Sequence, residues 1–196
     1  MPLKISEIQN LSKTRPKAVR RIPTQQYPIL TATPEQQITW LAALVDGEGS
    51  ISLDLRRYEK RVDLELQIQI GNRNIDVIAC VQQIVGFGTS HVQLFHQGKP
   101  YATYVVCCKQ ARIFLDKVKK YLVVKQPQAR LIDKFYALDV GEHAHHSEPH
   151  IYTKEQIQCF IQLRKCNHSE GKLYLNPNFR LLLQKCNLEN LYYDEP

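Results

Sequence analysis

Polar and apolar residues alternate strictly along two stretches of this chain. Ser50, Ser52, Asp54 and Arg56 interleave with Ile51, Leu53 and Leu55. Further on, Arg61, Asp63, Glu65, Gln67 and Gln69 interleave with Val62, Leu64, Leu66, Ile68 and Ile70. Successive side chains of a strand point to opposite faces. Period two therefore predicts two strands of a sheet with one buried and one wet face. The polar run Arg57-Tyr58-Glu59-Lys60 connects them.

Helical spacing frames this pair. Thr33-Pro34-Glu35-Gln36 has the chemistry of a helix start, with Thr33 as cap, Pro34 in the first turn and Gln36 closing a capping box. The helix is expected to run through Asp46. Ile38, Leu41, Ala42 and Val45 share one apolar face, Trp40 and Leu44 widen it, and Gly47 and Gly49 stop it. After Gly71-Asn72-Arg73-Asn74, helical spacing resumes over 75–85 and ends at Gly86-Phe87-Gly88. Two further strands are predicted near 89–95 and 101–107, joined as a hairpin through His96-Gln97-Gly98-Lys99-Pro100. Helices are predicted near 110–121, 127–139, 154–165 and 178–190.

These patterns divide the chain into a basic N-terminal arm over 1–32, an α+β core over 33–140, and a helical appendage over 141–196. The arm holds Lys4, Lys13, Arg15, Lys17, Arg20 and Arg21 against Glu7 alone, and its prolines interrupt any long helix. It reads equally as a tracker of nucleic-acid phosphates and as a solvated tail. A formal charge of +7 favours a polyanionic partner without fixing the fold. No run approaches the roughly 18 apolar residues of a membrane span. The six cysteines lack CxxC spacing, so reduced and mostly buried thiols are expected; Cys107 and Cys108, adjacent in a strand, should face opposite ways. The polar stretch with His143, His145, His146 and His150, even with Cys159, Cys166 and His168 added, matches no standard zinc spacing and reads as a solvated loop.

One segment changes the picture. Leu41-Ala42-Ala43-Leu44-Val45-Asp46-Gly47-Glu48-Gly49 runs an apolar helix into two acids separated by a glycine. This resembles the LAGLIDADG motif of homing endonucleases. The order helix, two strands, helix, two strands, helix, helix over about 34–140 resembles that family's αββαββα plan, with its four-stranded antiparallel DNA-binding sheet. Lys125-Gln126 stands where the family often has a lysine. The resemblance implies a metal-dependent endodeoxyribonuclease that cuts both strands at a long pseudo-palindromic target and so initiates intron mobility. It implies Glu48 and the Gly47 carbonyl as ligands of Mg²⁺ or another divalent cation, with Asn72, Arg73 and Lys125 as further catalytic groups. Asp46 would assist helix termination and local hydrogen bonding. Ala43 departs from the glycine common in the motif, and Asp76 is acidic where some relatives place a basic group.

The same resemblance assigns the wet sheet face to the DNA major groove, through Ser52, Asp54, Arg56, Arg61, Asp63, Glu65, Gln67, Gln69, His91 and Gln93. Arginine can take guanine, glutamine adenine, and a carboxylate cytosine N4. A face carrying three acids makes sense if each acid reads cytosine or braces an arginine. Phe135-Tyr136-Ala137-Leu138-Asp139 is too weak a likeness to count as a second motif, so the resemblance implies a homodimer paired through Leu41, Ala42, Leu44 and Val45. It also admits an intron-RNA maturase, with RNA as partner, or a catalytically inactive DNA-binding protein.

Overall fold

A computed structural model describes residues 26–59, 62–94, 99–138, 150–167, 173 and 176–192. Arg61, the six basic residues of the arm, and His143, His145, His146 and His168 lie outside the described residues. The elements are α1 (Pro34–Glu48), β1 (Gly49–Arg57), β2 (Val62–Asn72), α2 (Ile75–Val85), β3 (Thr89–Leu94), β4 (Pro100–Cys107), α3 (Cys108–Val118), α4 (Gln126–Ala137), α5 (Lys154–Cys166) and α6 (Pro177–Lys185). The α+β order is the expected one. The strands form one four-stranded antiparallel sheet in the order β1-β2-β4-β3.

Local chemistry explains the boundaries. Thr33 and Gln36 make the reciprocal capping box that starts α1, and Thr153 with Gln156 makes the same device at α5. The alternation of β2 is obeyed residue by residue: Val62, Leu64, Leu66, Ile68 and Ile70 are buried, while Asp63, Glu65, Gln67 and Gln69 are half-buried. β4 alternates in the same way, burying Ala102, Tyr104 and Val106.

Three expectations are corrected. Gly47 does not stop α1, which continues through Glu48. Residues 28–31 of the arm are packed as a 3-10 turn: Gln37 donates to the carbonyls of Ile29 and Leu30, and Tyr27 donates to Asp76. Cys108 is not a strand residue but opens α3 with φ of +54°, so it does not mirror Cys107 across the sheet. The thiols are free, yet only Cys80 and Cys159 are buried; Cys108 and Cys166 are exposed.

The described chain falls into two compact units. Among the described residues, the first takes in those up to Ile51 and from Gln67 to Lys125, the second those from Ser52 to Leu66 and from Gln126 onward. In the first, α2 packs on β3 and β4, α3 packs on β4, and α1 packs on α3 and the 3-10 turn at Lys119–Tyr121. Tyr104, Phe114 and Leu115 are among its fully buried side chains. In the second, α4 packs on α5, and Phe160 meets Phe179 with ring centroids 5.7 Å apart.

Candidate functional site

The last turn of α1 carries Val45, Asp46, Gly47 and Glu48, and Gly49 begins β1 with no intervening loop. The join is that tight because residue 49 has no side chain. A Cβ there would lie 2.8 Å from both Val45 Cα and Val45 O, and 3.0 Å from the Gln69 carbonyl oxygen. Glu48 is thereby the final helical residue. Its side chain is exposed and makes no hydrogen bond or ion pair with any described residue. The carbonyls of a last helical turn have no partner four residues on, and Gly47 contributes one of them.

Asp46 is in the opposite condition. Its Oδ2 accepts the Val123 N–H at 2.7 Å and its Oδ1 accepts the Lys125 N–H at 2.8 Å. Its main-chain oxygen accepts from Lys125 Nζ at 2.5 Å. The hydrogen bonding is therefore not local, as expected, but spans 77 and 79 residues. A carboxylate receiving two backbone N–H groups makes charge-assisted bonds, stronger than neutral ones. The ammonium also complements the negative end of the helix. Asp46 thus clamps the loop after Leu122 and delivers Lys125 to the turn that carries Glu48.

The outward face of the sheet differs between the units. In the first, the register pairs Gln67 with Cys107, Gln69 with Val105, His91 with Thr103, and Gln93 with Tyr101. These positions share the face opposite the core, and none carries a fixed charge. His91 Nδ1 is buried with no partner among the described residues. In the second unit the outward positions are charged. Ser52 donates to Asp54 Oδ1 at 3.1 Å, and Arg56 lies between two acids, with Nη2 3.5 Å from Asp54 Oδ2 and Nε 3.9 Å from Glu65 Oε2. Tyr58 donates to the other oxygen of Glu65.

No family model matches this sequence, and no curated protein does. Solved structures do match. The archaeal intron-encoded homing endonuclease I-Vdi141I, complexed with DNA, superposes with a TM-score of 0.55 at 20% identity, over 81% of this chain and 99% of that one. The homing endonuclease I-CvuI, in complex with its target in the presence of calcium, gives 0.51 at 17% identity, over 79% and 96%. This chain has the LAGLIDADG homing-endonuclease fold.

Within the LAGLIDADG fold, the residues singled out from the sequence separate into groups. Gly47, Glu48 and Lys125 come together at the end of α1. Asn72 and Arg73 do not join them by any hydrogen bond or ion pair among the described residues. Asn72 Oδ1 instead accepts the Asn74 N–H at 2.8 Å, and Asn74 caps α2. Of the four residues expected at a helix pair, three are already spent. Leu41, Ala42 and Val45 are 4%, 0% and 0% exposed in the single chain. A side chain with no surface left can give none to a partner. Leu44 keeps part of its surface, and Gln36, Thr39, Ala43 and Gly47 are exposed at helical spacing on α1.

β4 is the strand expected near 101–107, but its outward residues were not among the expected contacts. Tyr101, Thr103, Val105 and Cys107 face outward beside β2 and β3. Their polarity resembles that of the inward Ala102, Tyr104 and Val106 too closely for alternation to mark a wet face. Strand pairing was the only signal that could have found them.

Proposed function

We propose that this chain is a divalent-metal-dependent, site-specific endonuclease of the homing type, cutting both strands of DNA as a homodimer. The observation that carries this reading is the pairing of conditions at the end of α1. Asp46 is saturated by the loop it holds, while Glu48, two residues on, is left exposed. A carboxylate placed at a rigid helix end without an internal partner is available to an external one.

The donor set fits Mg²⁺ or a similar hard cation. Among the described residues no three His, Cys, Asp or Glu side chains group as a closed metal site. Mg²⁺ is commonly held by one or two carboxylates together with waters and substrate phosphates. Glu48 and the Gly47 carbonyl supply such a partial set, and a second copy would double it. When bound, the metal would lower the pKa of a water and neutralise charge on the phosphate under attack. Lys125 adds a positive charge beside the same turn, on the loop that Asp46 fixes. The exposed α1 positions Gln36, Thr39, Ala43 and Gly47, with Leu44, offer the surface for the second copy. The outward sheet positions of each unit supply donors and acceptors for base edges. A dimer would carry a formal charge of +14, twice +7, so DNA binding should fall steeply with salt.

The test is incubation with DNA carrying the uninterrupted target and Mg²⁺. Wild type should cleave both strands. Glu48→Gln should bind but cleave at least about 100-fold more slowly, the upper end of the loss seen when a metal ligand's support is removed. Binding without cleavage by both proteins would end the nuclease reading, and sedimentation of a 1:1 complex with DNA would end the dimer.

A further inference from the structure

β4 ends at Cys107 and α3 begins at Cys108, so two thiols stand side by side where a strand turns into a helix. Cys108 adopts φ of +54°. Among the described residues the other non-glycine position of this kind is Asn187, and asparagine tolerates the left-handed region; a cysteine there is strained. The strain has a consequence for direction. Successive side chains of an extended chain point to opposite sides. Cys107 keeps extended angles, φ −129° and ψ 162°, and the positive φ of Cys108 swings its Cα–Cβ bond round to the same side of the peptide they share. Cys107 is half-buried and its Sγ donates to Gln67 Oε1 at 3.6 Å, whereas Cys108 is exposed.

The thiolate, not the thiol, is the nucleophile, and the start of a helix favours negative charge. Cys108 is the first residue of the 11-residue α3. The first turn of that helix contains no acid, Lys109 follows Cys108, and Cys107 at the cap position makes no side-chain cap. The other thiols are placed differently. Burial pushes Cys80, Cys159 and Cys186 above the ordinary thiol value, which holds them protonated. Cys166 is exposed but closes α5, at the negative end of a helix.

We propose that Cys107 and Cys108 form a peroxide-sensitive dithiol, with Cys108 as the attacking thiol and Cys107 as the resolving one. The Cys108 thiolate attacks one oxygen of hydrogen peroxide. The O–O bond breaks, hydroxide leaves, and a sulfenic acid remains on Cys108 Sγ. The Cys107 sulfur then attacks that sulfur. The S–S bond forms, the S–O bond breaks, and the hydroxyl departs as water with the proton that Cys107 gives up. Both thiols are oxidised, and the peroxide is reduced to water. Consecutive Cα atoms lie about 3.8 Å apart, below the roughly 4.4–6.8 Å usual across a disulfide. A bond strained in this way is readily reduced, which makes the modification reversible. The closed form carries no thiol proton, so Gln67 loses that donor and its amide is held less firmly. Gln67 lies on the outward sheet face, so closure weakens DNA binding, a consequence that rests on the proposed function.

The test treats the full chain with hydrogen peroxide and reads intact mass and peptide maps. Wild type should lose the mass of two hydrogen atoms, with the disulfide mapped between Cys107 and Cys108, and should recover with a dithiol reductant. Cys107→Ser should stop at a sulfenic acid on Cys108, trapped by a cyclic diketone. Cys108→Ser should yield neither the disulfide nor the trapped acid at this corner. A disulfide mapped to another pair, a sulfenic acid trapped first at Cys166, or thiols at both positions that survive peroxide would overturn the inference. Binding to duplex DNA reads the consequence. The oxidised wild type should bind about threefold to tenfold more weakly than the reduced protein, the range of one neutral hydrogen bond. The double variant Cys107→Ser/Cys108→Ser should be indifferent to peroxide. A loss that persists in the double variant would assign the effect to another thiol and overturn the coupling. Failure of the reduced wild type to bind any DNA would strike the proposed function instead, and the mapped disulfide alone would then decide the inference. Near-native circular dichroism of the variants separates loss of chemistry from loss of fold.

Discussion

Two corners of the molecule use the same device and end in opposite conditions. At the end of α1, Asp46 accepts the N–H groups of Val123 and Lys125. At the start of the C-terminal region, Tyr152 accepts the Leu64 N–H through its hydroxyl oxygen at 2.8 Å. In both, a side-chain oxygen reaches backbone many residues away and fixes a segment that has no regular partner. β4 pairs with β2 only from Gln67 onward, so the earlier residues of β2 lack that neighbour. The Tyr152 corner is closed on every side. Its ring is 6% exposed, lies 5.9 Å from the Phe135 ring and 4.3 Å from that of His150, and its own N–H donates to Cys186 Sγ. The Asp46 corner is open to solvent: Val123 is 80% exposed, and Glu48, two residues on from Asp46, is exposed as well. Satisfied polar groups in a buried setting are a structural node. An exposed carboxylate beside such a clamp is where the proposed site stands, and the clamp fixes the loop next to it.

Removing the clamp should therefore damage function and fold together, and it should be the largest of these effects. Asp46→Ala deletes two hydrogen bonds to an ionised acceptor. The Val123 N–H can recover water, because Val123 is 80% exposed, so the stability loss is set at about 3 kcal/mol, the lower end for two such bonds. Lys125 loses its fixed place at the same time, and cleavage should fall about tenfold or more, in keeping with the loss of a positioning group. Urea unfolding and single-turnover cleavage measure the two losses. Unchanged cleavage with lowered stability would make the Asp46 corner the same kind of object as the Tyr152 corner.

Tyr152→Phe should act on stability alone. It leaves the ring packing and strands a buried N–H on β2, at a cost of about 2 kcal/mol. Cleavage per folded molecule should not change. The same residue gives a pH signature. Burial pushes the Tyr152 phenol well above its ordinary value, and burial does the same to Tyr104, whose hydroxyl donates to the Phe87 carbonyl. The folded protein then holds these protons more tightly than the unfolded chain. That stability is fully present below the unfolded value near pH 10 and is lost as pH rises above it. Wild type should lose stability steeply above about pH 10, and Tyr152→Phe should show a shallower slope there.

The two corners were unequally legible. The elements around Asp46 and Glu48 could be read because alternation in β1 and β2 and the capping box of α1 are local signals. The identity of the acids was legible as well. The hydrogen-bonding part given to Asp46 was legible too, but its partners were not, because they lie in a loop whose sequence, Val123-Val124-Lys125, carries no pattern of its own. Tyr152 could not be picked out either. A tyrosine two residues before a helix gives no hint that it will finish a strand 88 positions earlier. The outward face of β4 stayed hidden because Tyr101 and Val105 match the inward Tyr104 and Val106 in type, which leaves Thr103 as the one polar step in the strand. What needed three-dimensional structure, in each case, was a long-range pairing between segments that are individually unremarkable.

The smallest effect gives the finest test of what the open corner is for. Gly47 and Gly49 flank Glu48, and only Gly49 is required by the single chain. A Cβ on Gly47 would meet nothing within 4 Å, and its φ is not in the left-handed region. Glycine inside a helix is less favourable than alanine by roughly 0.5–1 kcal/mol. On the isolated fold, Gly47→Ala should therefore raise stability by about that amount. If α1 packs against a second copy through Ala43 and Gly47, the added methyl falls in the seam, where it must push the two helices apart. The variant should then unfold at higher urea as a monomer while dimerising less tightly and cleaving more slowly. A variant that is more stable and equally active would mean that the open face of α1 meets no partner, and that Glu48 works without its twin.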